Sequence, residues 1–301
     1  MLLLLLGLSP AFAATLAVGP AETYTTIQSA INAASDGDIL LIEPGTYAES
    51  INFLGKQLVV EGTGGSANTI LDGGDNAGFV VIISGGEPTG TTLRGFTIRN
   101  GVSYGAYVAS SAACFDDVVF DHLGSTGLTG AGINAYYAEI EVTNSAFTGL
   151  TSYYGGLLAT ASTVNIADST FSDNYGYYGA AILATTGSDV ALDNVLIEGN
   201  ENYYSGVVYI QSNSSLIAVD SEFDNNVSTY GNGTAIEIYG YGSGHLTGGS
   251  VSENRMTYYQ TQGYFGAAYA EVGSELTATG VIFSGNQVYG GAAGVASSSD
   301  G

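Results

Sequence analysis

The side chains that could do chemistry in this 301-residue chain are mostly carboxylates, and they return at a near-constant interval. Asp117, Asn144, Asp168, Asn194 and Asp220 follow one another at gaps of 27, 24, 26 and 26 residues. Asp168 and Asp220, with Asn194 between them, could present two carboxyl groups at the roughly 5–10 Å used in acid–base cleavage of a glycosidic bond. The same column could hold Ca2+, a cation that takes oxygen ligands. A plainer reading stands beside these. Asp and Asn are turn formers, and alternating acid with amide keeps like charges two repeats apart.

The remaining candidates are scattered. Among the four basic residues, Lys56, Arg94, Arg99 and Arg255, only Arg99 could share a site with an acidic pair, Asp116-Asp117, about one coil away. His122 and His245 fall in turns of well-separated repeats. Patterns for Ser-His-Asp catalysis, zinc binding or phosphate loops are absent, and the Gly-rich strings read as turns. Cys114, the only cysteine, sits among Ala112, Ala113 and Phe115; it reads as a buried small apolar residue and leaves no internal disulfide. No residue is therefore assigned a catalytic, cofactor-binding or metal-binding role, and Ca2+ on the acidic column is the single cofactor candidate.

Such residues need a scaffold, and its register is legible. An apolar anchor recurs at Ile98, Phe120, Phe147, Phe171, Ile197, Phe223, Val251 and Phe283. Seven and five residues before most anchors stand further apolar or small residues, such as Val164 and Ile166 or Val190 and Leu192. That alternation is a half-buried strand. After each anchor comes a turn-rich gap and a second apolar run opened by Gly, as in Gly179-Ala180-Ala181-Ile182. Short strands in a unit of about 25 residues, without helical period, predict an all-β solenoid of about ten coils. A propeller blade needs about 40 residues.

Stacked coils place equivalent positions in columns about 4.8 Å apart. Three residues after the anchor stand Asn174, Asn200, Asn226, Asn254 and Asn286, an amide ladder read as architecture. Seven residues after it stand Tyr154, Tyr178, Tyr204, Tyr230 and Tyr258, with Tyr153, Tyr177 and Tyr203 preceding three of them. These rings can stack on one another. They are also the candidate ligand-contact face, since phenol rings pack on sugar C–H groups.

Near the N-terminus, Thr25 and Gln28 have capping-box spacing, Ile27, Ala30, Ile31 and Ala34 share a helical face, and Gly37 can end the helix. Strands are expected at Ile39–Ile42, around Ile51–Phe53 and at Leu58–Val60, with a Pro44-Gly45 turn between the first two. A short helix here would cap the first coil. This stretch resembles the N-terminal cap and first coils of right-handed parallel β-helix proteins of the pectin lyase-like superfamily. The later units resemble repeats of the polymorphic outer-membrane proteins, marked by F-x-x-N and G-G-A-[ILV]. FSDN (171–174), FDNN (223–226) and FSGN (283–286) match the first mark; IEGN (197–200) and VSEN (251–254) keep the Asn. GGLL, GAAI and GTAI approximate the second. Together the resemblances span about residues 22–294 and imply fold more than activity.

An enzyme of this superfamily would be a polysaccharide lyase or glycoside hydrolase. Pectate-lyase-like elimination resembles a scheme in which carboxylate-held Ca2+ acidifies a proton beside a uronate and an Arg or Lys removes it. The polygalacturonase-type set of Asn-x-Asp, Asp-Asp, Gly-His-Gly and Arg-x-Lys is not matched; Gly244-His245-Leu246 is a partial echo. A formal charge of −24 repels nucleic acid, anionic lipid and polyanionic sugar and favours cations and neutral partners.

The start, MLLLLLGLSPAFAA, reads as a signal peptide over residues 1–13. Residues 14–62 are then the cap helix and first coils, and 63–301 the β-helix repeats. No other segment could insert in a membrane. GVASSSDG ends where another coil would turn, so the natural chain is expected to continue past Gly301. The neutral, aromatic insertion MTYYQTQGYF (256–265) suits contact. The expectation is a non-catalytic, secreted or cell-surface protein of a bacterium, acting in adhesion, in glycan or protein-partner binding, or as a scaffold; the alternative is a polysaccharide-degrading enzyme.

Overall fold

The computed structural model describes residues 13–124, 130, 132–258, 266–271, 273–288 and 292–298. The chain winds as a parallel β-solenoid of about ten turns with one short helix near its start. One coil shows the pattern. Strand Thr163–Ala167 is followed by Asp168 with φ 49°, then strand Thr170–Ser172, Asp173 with φ 54°, and the buried Asn174. A two-residue strand Tyr175–Gly176 leads through Tyr177 and Tyr178 to Ile182–Thr185. Thr186 with φ 61° then turns the chain into the next coil.

Neighbouring coils pair in parallel, and the anchor column keeps the expected register. Ile98, Phe120, Phe147, Phe171, Ile197, Phe223, Val251 and Phe283 are consecutive partners. The column also starts one coil earlier than the sequence suggested, because Leu71 pairs with Ile98. Phe120, Phe147 and Phe171 are fully buried and stack face to face, with centroids 4.7 and 4.3 Å apart. Each such burial stabilises by roughly 1.5–3 kcal/mol, and the ring contact adds to it.

The asparagine column is a hydrogen-bonded ladder. Asn174, Asn200, Asn226 and Asn254 each donate Nδ2–H to the Oδ1 of the next Asn at 2.9–3.1 Å. Their backbone N–H groups donate to the same oxygens at 3.0–3.1 Å. A second Nδ2–H reaches the anchor carbonyl of the coil before, as from Asn200 to Phe171 O at 2.9 Å. Buried serines form a comparable device that sequence reading missed. Ser188 N–H donates to Ser214 Oγ, and Ser188 Oγ accepts from Ser162 N–H.

The N-terminal helix, Ile27–Ala33, buries Ile27, Ala30 and Ile31 against the first coils. Its cap corrects the expected box. Thr26, not Thr25, is the N-cap, and Glu49 accepts from Ile27 N–H and Gln28 N–H at 2.8 and 3.0 Å. The Gln28 side chain instead pairs with the Asn52 backbone, at 2.7 and 3.2 Å. Lys56 Nζ donates to the carbonyls of Ile31, Asn32 and Ala34, so one of four basic residues closes the helix C-terminus.

Between residues 63 and 109 turn-type residues no longer mark every strand end. Strands Thr69–Ile83 and Thr92–Ala109 run continuously around the coil, with register shifts between Asp72, Ala77 and Phe79. The leader expected over residues 1–13 lies outside the described residues except for Ala13.

The amide ladder makes a direct prediction. Asn200→Ala removes the acceptor for two donors of Asn174 and leaves them buried, so it should lower unfolding free energy by about 2–4 kcal/mol. Glu222→Gln, at an exposed site, should stay within about 0.5 kcal/mol. Urea denaturation of both variants checks this; equal midpoints would mean the ladder adds nothing.

Candidate functional site

The tyrosines occupy the turn between the two-residue strand and the third strand of each coil. Backbone bonds lock that turn into register: Tyr178 N–H to Tyr153 O at 3.1 Å, Tyr204 N–H to Tyr177 O at 2.9 Å, Tyr230 N–H to Tyr203 O at 2.8 Å. Buried polar groups beneath hold it. Gly155 N–H donates to Ser152 Oγ, Asn202 Nδ2–H to Ser205 O, and Gly231 N–H to Ser228 Oγ.

The rings accordingly fall into columns. Tyr178, Tyr204, Tyr230 and Tyr258 follow one another at centroid distances of 5.5, 6.1 and 4.7 Å. Tyr153, Tyr177 and Tyr203 form a second column at 5.2 and 5.4 Å. Tyr154 meets Tyr153 edge-on at 4.9 Å, and Tyr153 in turn contacts Tyr178. Tyr204 and Tyr258 are 46% and 50% exposed. The geometry qualifies the expected sugar-stacking mode. The rings turn much of their faces to one another, so the ladder offers ring edges and hydroxyls along its length.

Beside the ladder lies a group that sequence reading missed. On the third strand face, Leu183, Tyr209, Glu237 and Tyr269 pair in sequence and point outward, yet all are buried. The tyrosine turns lie over them; Tyr178 stacks on Tyr209 at 6.3 Å. Glu237 Oε2 accepts from Asn232 N–H and Gly233 N–H at 3.0 and 3.2 Å, next to the register shift between Gly233 and Ile236. Glu271 Oε2 accepts from Tyr269 O–H at 3.1 Å and Asn232 Nδ2–H at 3.2 Å. Burial, with the neighbouring Glu271 charge, pushes the Glu237 carboxyl up to about 7 against the pull of its amide donors. Burial and Glu237 push the Tyr209 phenol up as well. The sequence signal was there: a lone Glu inside the apolar run Gly233-Thr234-Ala235-Ile236-Glu237-Ile238.

The other candidates are taken up by the scaffold. Asp117, Asn144, Asp168, Asn194 and Asp220 all have φ between 46° and 54°, and Gly248 and Gly280 continue the column at 67° and 68°. This is the left-handed conformation that Asn, Asp and Gly adopt at least cost. Asn194 Nδ2–H donates to Asp168 Oδ1 at 2.7 Å. Arg99 pairs with Asp72 at 2.9 Å, not with Asp116-Asp117. Arg94 is the residue in register with Asp116, and it pairs with Glu61 at 2.5 Å. Asp116 accepts from Thr143 Oγ1 and Asn144 Nδ2, and Asp117 from Ser66.

Two placements are corrected. Cys114 is half-buried on the outward side, between Thr92 and Glu141, and its thiol is pushed up by burial and by Glu141 and Asp116. His245 lies within strand Ser243–Thr247, not in a turn, with Nδ1 2.7 Å from Thr277 Oγ1. His122 does lie in a turn, with φ 46° just after a strand, and contacts Asp121. Of the 256–265 insertion, residues 259–265 lie outside the described residues. Among the described residues, no group of three or more His, Cys, Asp or Glu side chains is placed to hold a metal ion, and no helix is long and apolar enough to cross a membrane.

Comparison with known proteins assigns the family. The model described as "Right handed beta helix region" matches residues 78–255. This chain belongs to the right-handed β-helix family. No curated protein matches it in sequence. Among solved structures, it is similar to the pectin methylesterase from carrot, with TM-score 0.47, 14% identity, and coverage of 98% of this chain and 90% of that one. It is also similar to the alginate lyase of Paenibacillus sp. str. FPU-7, with TM-score 0.38, 14% identity and coverage of 91% and 99%. A third likeness is to a mannuronan C-5 epimerase A-module of Azotobacter vinelandii, with TM-score 0.30, 11% identity and coverage of 91% and 94%.

In this β-helix, Glu237 gives a pH signature. Its carboxyl keeps a proton up to about pH 7 in the folded chain, whereas its ordinary value is 4.5. Between those limits the folded state binds the extra proton. Stability should therefore fall as pH rises through the window, by up to about 3 kcal/mol from this group. Below the window the contribution is complete. Glu237→Gln should flatten that part of the stability–pH curve; parallel curves would show that the carboxyl is ionised in the fold.

Proposed function

We propose that this β-helix is a non-catalytic secreted or cell-surface protein of a bacterium. It acts in adhesion, in binding a surface glycan or protein, or as a surface scaffold, with the tyrosine ladder as its contact face. The F-x-x-N marks at 171–174, 223–226 and 283–286 support a kinship of the repeats with those of polymorphic outer-membrane proteins. The reading rests chiefly on one observation: a continuous ridge of phenol edges and hydroxyls across successive coils, with Tyr204 and Tyr258 about half exposed. Tyrosine gives large contact area at low conformational cost and adaptable hydrogen bonding. The strong negative charge turns the ridge toward neutral or cationic partners.

A second reading has its own support. Glu237, held protonated near neutral pH beside Glu271, is the kind of carboxyl pair a glycoside hydrolase or polysaccharide lyase uses. Against it stand the burial of Glu237 and its bonds to the backbone of the bulge.

Binding and turnover separate the two. On a panel of polysaccharides and surface proteins, the first reading expects saturable binding without product. Tyr204→Ala or Tyr258→Ala should then weaken binding by about tenfold, roughly 1.4 kcal/mol. Robust release of unsaturated or reducing ends, lost in Glu271→Gln, would establish the enzyme in its place.

A further inference from the structure

The ladder also has a chemistry of its own, independent of any partner. The chain holds 22 Tyr and no Trp. Among the described residues the other readily oxidised side chains are poorly placed: Met256 is buried, and the Cys114 thiol is half-buried, with its pKa pushed up by burial and by Glu141 and Asp116. A one-electron oxidant therefore meets exposed phenols first. Tyr204 and Tyr258 contact further rings at once. Tyr204 touches Tyr203 at 4.6 Å and Tyr178 at 5.5 Å, and Tyr258 touches Tyr230 at 4.7 Å.

Two inter-coil pairs stand out by geometry. Tyr203 and Tyr230 have centroids 5.0 Å apart and planes inclined at 66°, with the Tyr230 hydroxyl near enough to push the Tyr203 phenol up. Tyr153 and Tyr178 are 5.6 Å apart at 56°, and burial together with the nearby Tyr153 hydroxyl pushes the Tyr178 phenol up. A biphenol joined ortho to both hydroxyls has its two oxygens side by side and its rings twisted. These pairs approach that arrangement before any bond forms.

We propose that the ladder is a site of oxidative self-cross-linking, in which Tyr203 couples to Tyr230 and Tyr153 to Tyr178, stapling successive coils. Each phenol loses one electron and one proton. The two phenoxyl radicals join by a carbon–carbon bond between ortho ring carbons, and the hydrogens on those carbons return to the oxygens as the rings become aromatic again. Two electrons and two protons leave in total. Hydrogen peroxide, acting through a haem peroxidase, accepts them and becomes two waters.

The test treats the folded chain with a haem peroxidase and limiting hydrogen peroxide, then maps cross-linked peptides by mass spectrometry after cleavage at acidic residues. Intramolecular 203–230 and 153–178 links should dominate, and the stapled protein should melt at a higher temperature. Tyr203→Phe should abolish the first link and keep the second; Tyr178→Phe should do the reverse, so each variant reports that the other pair is still folded. The comparison set is Tyr136 and Tyr137, 44% and 56% exposed and perpendicular at 4.6 Å, together with Tyr241 at 69% exposure. Links spread over these in proportion to exposure, links only between molecules, or the same two links formed in denaturant would each overturn the proposal.

Discussion

The parallel hydrogen-bond ladder between coils governs everything else in this molecule. It spaces successive strands at about 4.8 Å and keeps them in register, so each side chain has the equivalent side chain above and below it. A residue type survives in a column only where it tolerates its own copy. Phe does, by stacking; Asn does, because each amide both donates and accepts; Tyr does, by offset rings and hydroxyl contacts. Carboxylates do not. Two at one-coil spacing repel by about 1 kcal/mol in water and several-fold more at a partly buried site.

That constraint explains how so acidic a chain can be a solenoid. Asp189 is flanked in its column by Thr163 and Ser215, and Ser215 Oγ–H donates to it at 2.6 Å. Asp168 receives Asn194, Asp116 receives Thr143 and Asn144, and Asp224 receives Ser252 at 2.6 Å. The neighbouring coil thus supplies a neutral donor to each of these acids. Glu198 opposite Asp224 is a departure, and it lies on the solvent side, where water screens the pair. The same logic gives the alternation of Asp and Asn before each anchor: every member needs the left-handed backbone, and only some can carry charge.

Columns were legible in the sequence wherever a repeat was regular, because the ladder forces one residue type to recur at one offset. The anchor, Asn and Tyr positions followed from spacing alone. At Thr69–Ile83 and Thr92–Ala109 punctuation such as Asp72-Gly73-Gly74 falls inside a continuous strand, so it does not mark a strand end, and the register is carried by pairing with neighbours. Two misplacements were avoidable. Ala113 and Phe115 face inward, so strand parity already puts Cys114 outside; Gly244 and Leu246 do the same for His245. The helix cap failed differently. Thr25 has the right spacing, but Glu49 comes from 22 residues away to take the amides a capping Gln would need. Local sequence does not show that competitor.

Glu237 is the instructive exception to column logic. Its neighbours in register are Tyr209 and Tyr269, so it repeats nothing. It stands where the repeat itself slips, at the shift between Gly233 and Ile236, in the coil that precedes the 256–265 insertion. A shifted register leaves backbone amides of residues 232 and 233 without a coil partner of the usual kind, and the carboxyl of Glu237 accepts from both. Burying an acceptor strong enough for two amides raises the cost of its charge, which the fold meets by holding the proton. Irregularity, buried acid and tyrosine cover therefore arise together: the slip calls for the acid, the acid calls for shelter from water, and the tyrosine turns of the coils beside it supply that shelter. In a molecule built from self-tolerant columns, chemistry that needs unlike neighbours is confined to the places where the repeat breaks.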